Sequence, residues 1–101
     1  MLLLSSPLNR DKRQESEVNI RMPTKAYILI ETAVGRTKDV SSALIALNDV
    51  VNVDAVTGPY DIIAIVSSND LTAVGELVTT DIHTIQGIVR TVTCLQLVPS
   101  N

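Results

Sequence analysis

Val56–Val66 reads VTGPYDIIAIV. Gly58 and Pro59 stop one apolar run, and Tyr60 and Asp61 open another made of Ile62, Ile63, Ala64, Ile65 and Val66. Side chains alternate between the two faces of a strand, so an unbroken apolar run fills both faces. The stretch therefore reads as a central strand covered on two sides, entered through a tight turn. Glycine supplies a positive φ there and proline a fixed one. An acid at the mouth of such a strand needs donors or a cation, because an unpaired buried carboxylate is prohibitively costly.

Working outward, VVNVDAVT (50–57) is a strand with Val51, Val53 and Ala55 on one face and Asn52 and Asp54 on the other. Ahead of it, TKDVSSALIALND (37–49) places Val40, Ala43, Leu44 and Leu47 at helical spacing, with Thr37 as N-cap. AYILIETAV (26–34) is a further strand, rich in β-formers and ended by Gly35. Beyond Ser68, NDLTAVGELVTTDI (69–82) is a second helix, capped by Asn69 or Asp70, with Leu71, Val74, Val78 and Ile82 as its stripe. Thr79 and Thr80 weaken that helix. Gly87 releases the chain into a last strand, IVRTVTCLQLV (88–98).

The order is βαββαβ, and it repeats: Tyr27-Ile28-Leu29-Ile30 and Tyr60-Asp61-Ile62-Ile63 begin the two halves 33 residues apart. Two right-handed crossovers with interleaved strands give an α+β, ferredoxin-like domain. Its four-stranded antiparallel sheet has the order 4-1-3-2, with both helices on one face. Leu29, Ile63 and Ile65 then lie on the face without helices, and a second copy packed sheet on sheet is the expected cover. The Gly58–Asp61 turn falls at the same end of the sheet as Val34-Gly35 and Ile88–Thr91.

Composition narrows the function. The 101 residues are 46% apolar and 2% aromatic, with a net charge of −3. That length holds one domain, whose core must be built from Val, Ile, Leu and Ala. Residues 1–23 carry a net +1 and residues 24–101 a net −4. An acidic body without stacking aromatics is a poor partner for nucleic acid, and no direct contact with it is expected. The apolar runs are too short to span a membrane, and MLLL (1–4) is too short for the core of a signal peptide. Residues 1–22 are polar and aperiodic, and are expected to be a disordered or extension segment ahead of a domain at 23–101. One cysteine and one histidine offer no disulfide and no metal constellation, and no cofactor is implied. Cys94 reads as a small buried residue in a reducing, cytoplasmic compartment.

Val50–Val66, followed by a helix and then IQGIVRTVTCLQL (85–97), resembles the effector (RAM) domain of Lrp/AsnC regulators over about Ala26–Leu97. The marks are the valine-rich strand into Gly58-x-Tyr60-Asp61, and Gly87-Ile88 followed by Thr91-x-Thr93. The resemblance implies homodimers assembled into higher oligomers, with an amino acid bound in clefts between dimers near Gly58, Tyr60, Asp61, Thr91 and Thr93. Too few residues precede Ala26 for the three helices of a helix-turn-helix, so a stand-alone regulatory domain is expected, with a full-length regulator of the same family as a possible partner. It is not expected to be an enzyme.

The same fold also hosts small dimeric monooxygenase-like enzymes, for which His83 with Tyr60 or Asp61 is the candidate pair. Bland roles remain open too. Asp61 can cap a turn, and His83 can end a helix. A pure assembly module is a third reading.

Overall fold

The computed structural model describes residues 24–97. The expectation of disorder for residues 1–22 lies outside them. The elements are β1 (Thr24–Thr32), α1 (Thr37–Ile45), β2 (Val50–Ala55), β3 (Ile62–Ser68), α2 (Leu71–Glu76, running on as a π-helical turn over Leu77–Ile82) and β4 (Ile88–Leu95). The sheet order is β2-β3-β1-β4, the expected 4-1-3-2 read from the other edge, and every pairing is antiparallel. The fold is ferredoxin-like.

Strand alternation divides the sheet into two faces. Ala26, Ile28 and Ile30 of β1 and Ile62, Ala64 and Val66 of β3 are buried beneath the helices. They pack against Val40 and Leu44 of α1 and Val74, Leu77, Val78 and Ile82 of the second helix. Ser68 closes the buried row of β3, and its hydroxyl donates to Asp49 Oδ2 at 2.8 Å, so this buried polar group is satisfied.

Several boundaries differ from the sequence reading. β1 begins two residues earlier and ends at Thr32, because Ala33 N–H turns away to Gly87 O at 2.8 Å. Helix α1 is capped by Arg36 without a side-chain bond. Thr37 instead shares a hydroxyl–hydroxyl bond of 2.8 Å with Thr32, tying the helix start to the end of β1. For α2 the cap is Asp70, whose Oδ1 accepts from Ala73 N at 2.9 Å. Leu71 is not part of the buried stripe; it is exposed, and Leu77 takes its place.

The last two turns of this helix widen. His83 N–H bonds to Val78 O, five residues back, at 2.8 Å. The Thr79 hydroxyl competes for Gly75 O, and the Thr84 hydroxyl for Thr80 O and Asp81 O. Such side-chain bonds to helical carbonyls loosen the regular ladder.

Candidate functional site

On the face away from the helices, cross-strand register builds rows. Ile63, Leu29 and Val92 form one, and Ile65, Tyr27 and Cys94 the next. Cys94 is exposed here, against the expectation of burial, because its strand is an edge and its side is the helix-free one. Asn52 and Asp54 of β2 stand beside Ile65 and Ile63, and the Asn52 amide donates to Asp54 at 2.9 Å.

Above these apolar rows the surface becomes charged. Glu31 pairs in register with Arg90, and their side chains meet at 3.4 Å. Arg90 also donates to the Tyr60 hydroxyl at 3.2 Å, with its guanidinium 5.3 Å from the ring centroid. Tyr60 thus reaches across β1 toward β4 and stacks on a cation. Arg90 and Glu31 were not singled out from sequence. The available signal was strand alternation: Arg90 falls on the face opposite Thr91, level with the end of β1.

Asp61 is half-buried, and its Oδ2 accepts from Thr32 N–H at 2.8 Å, while its own N–H donates to Ile30 O at 2.9 Å. The carboxylate thereby closes the end of the β1–β3 ladder, the turn-capping role open from sequence. Gly58 has φ 132°, and nothing lies within 4 Å of where a Cβ would stand. The backbone there is open to a close approach by a ligand.

The five expected site residues do not converge within one subunit. Gly58, Tyr60 and Asp61 cluster at the turn, but Thr91 and Thr93 sit opposite Ile30 and Ile28, on the helix side of β4. Thr91 Oγ1 is bonded to His83 Nε2 at 2.6 Å. His83 is therefore held by Thr91, on the far side of the sheet from the Tyr60–Arg90 pair. Among the described residues no three His, Cys, Asp or Glu side chains come together to hold a metal ion. No helix there is long and apolar enough to cross a membrane.

These features place the chain among small ferredoxin-like α+β domains whose sheet keeps one face free of helices. Residues 25–98 match the model of the Lrp/AsnC ligand binding domain, and the chain belongs to that family. Among solved structures it is similar to TTHA0845 from Thermus thermophilus, at 32% identity over 77% of this chain and 98% of that one, with a TM-score of 0.74. FFRP-DM1 gives 30% identity over 73% of this chain and 99% of that one, at a TM-score of 0.71. The fold is also shared with E. coli AsnC, at 21% identity over 82% of this chain and 55% of that one, TM-score 0.74. So too with the NMB0573 regulator of Neisseria meningitidis in complex with L-Met, at 15% identity over 96% of this chain and 60% of that one, TM-score 0.69. A comparison with curated proteins returns no match.

Proposed function

We propose that the chain is a regulatory sensor domain that binds a small amino acid, assembles through the helix-free face of its sheet, and acts in the cytoplasm without contacting DNA itself. The observation that carries the reading is the match of nearly all the described residues to a ligand-binding domain of regulators. Tyr60, Asp61, Glu31 and Arg90 support it, because they set both signs of charge beside an open glycine turn. A zwitterion needs both signs, and charge-assisted bonds are the strong ones.

In this reading the free oxygen of Asp61 takes the ammonium group and backbone N–H groups around Gly58 take the carboxylate. Thr91 and Thr93 reach such a site only from a neighbouring subunit, since their own sheet stands between. A related fold holds L-Met in another regulator, which makes an amino acid the class to test first. The net charge of −4 on residues 24–101 supports the absence of a direct phosphate contact. The bond from His83 to Thr91 speaks against a catalytic pairing of His83 with Tyr60 or Asp61.

Titration with the twenty amino acids, followed by calorimetry and thermal shift, tests the reading. Saturable binding of at least one of them with a raised Tm is expected. Silence across the set returns the chain to a pure assembly module, and turnover of a titrated compound returns it to an enzyme.

A further inference from the structure

The helix side of the sheet is not fully covered. α2 packs chiefly on β3 and β1, and it leaves the inner side of β4 open. A groove of about 300 Å³ runs between them, lined by Leu71, Val74, Val78, Thr79, Thr93 and Leu95. Its two leucines are 58% and 43% exposed, and Leu97 just beyond is 95% exposed. An apolar trough of this kind on a small domain calls for an occupant.

We propose that the groove is the seat of the chain's own leading segment, with Leu2, Leu3 and Leu4 laid between α2 and β4 of the same subunit. Composition is the first argument. Among residues 1–23, these leucines form the densest apolar cluster, ahead of the polar run Asn9–Glu17.

Position is the second. Thr24 pairs with Ser68, three residues before Leu71, and lies two residues before Ala26, the register partner of Leu95. Thr24, where the described residues begin, therefore lies at the mouth of the groove, roughly two strand rises from Leu95, or about 7 Å.

Reach is the third. A chain the length of residues 5–23 spans about 24 Å root-mean-square, enough to double back along α2 and to hold the leucines at millimolar effective concentration. Charge favours the same placement: Arg10, Lys12 and Arg13 precede a body of net −4, with the Asp70 carboxylate at the start of α2 and Glu76 exposed on it.

The seat lies on the opposite side of the sheet from the charged cluster of its own subunit and shares only Thr93 with the proposed effector contacts. It is read without added amino acid, so its failure is distinct from a failure of effector binding. The experiment uses the full chain with Cys94→Ser and Ser5→Cys, a nitroxide on the new thiol, and methyl-labelled Ile, Leu and Val for NMR. Methyl signals of Leu71, Val74, Val78 and Leu95 should be lost, while those of Ile63 and Val92 on the other face persist. Replacing Leu2, Leu3 and Leu4 with Ser should restore the lost signals.

A mixture of nitroxide-bearing, isotope-free chains with labelled, nitroxide-free chains should show no loss in the groove. Persistence of the groove signals in the first sample overturns the proposal. So does equal loss on both faces, and so does loss that appears in the mixture, which would assign the seat to a neighbour's segment.

Discussion

Gly87 and Gly58 both hold a positive φ, at 104° and 132°, yet they answer to different constraints. A Cβ on Gly58 meets nothing, whereas one on Gly87 would stand 3.0 Å from Arg36 Cβ and 3.1 Å from Val40 Cγ2. Gly58→Ala should therefore cost only the backbone strain, about 1–2 kcal/mol. Gly87→Ala should cost that and an overpacking penalty of roughly 1–3 kcal/mol besides. Denaturant melts of the two variants check the order, and equal losses would contradict the close approach.

Asp61 was legible from sequence as an acid needing donors. Which donor it finds was not, because Thr32 is distant in sequence and comes beside it only through the antiparallel register. Asp61→Asn keeps an oxygen for Thr32 N–H and removes the charge, so stability should change by about 1 kcal/mol or less. Amino acid affinity should fall roughly 10- to 100-fold if the carboxylate takes the ammonium group. Calorimetry beside a thermal melt separates the two roles. Unchanged affinity with a lowered Tm would leave Asp61 as the cap of the sheet and nothing more.

Among the elements, the two central strands follow their sequence patterns. In β2 a register shift between Val50 and Asn52 takes Val51 off the face it was expected to share with Val53 and Ala55 and leaves it exposed. The helices depart where hydrogen bonding rather than hydrophobicity decides. Val74, Val78 and Ile82 are buried as their spacing implies. Leu71 shares that spacing but falls over β4, where the helix does not lie down on the sheet. Apolar periodicity cannot report how far a helix reaches across its sheet. The π-helical turn was equally hidden, since it arises from threonine hydroxyls that take helical carbonyls.

The regular part, α2, is six residues long and depends on its cap, with Asp70 Oδ1 holding Ala73 N–H. Asp70→Ala should lower stability by about 1 kcal/mol, and Asp70→Asn by much less, as both Asp and Asn cap well. Hydrogen exchange at the amide of Ala73 should accelerate in the alanine variant alone. Equal exchange in both variants would show that the start of α2 is held by packing instead.

At the scale of the whole molecule, the proposed assembly turns on the helix-free face. Its two rows, Ile63-Leu29-Val92 and Ile65-Tyr27-Cys94, are framed by the Glu31–Arg90–Tyr60 cluster at one end and by Lys25 and Ser67 at the other. An apolar strip with a polar frame has the anatomy of an interface. A domain of this size buries only about 60–65% of its unfolded surface alone, so covering this face adds stability that the single core does not supply.

In the proposed assembly a second copy covers the strip, which can pair with itself about a twofold axis. The sequence carried the apolar strip, since Leu29, Ile63 and Ile65 break the alternation of a one-sided sheet. It did not carry the frame, which depends on the register of β4 and its bulge between Glu31 and Thr32. Light scattering should give at least twice the chain mass of 10.9 kDa at micromolar concentration. Ile63→Lys sets an ammonium in the apolar row beside Leu29, and even with Asp54 as its neighbour on β2 the cost of desolvating it in the interface weakens association by about 100-fold or more. Because Ile63 points away from the core beneath the helices, that variant should still fold, and its circular dichroism should match the parent. A folded variant of unchanged mass would remove the sheet face as the interface.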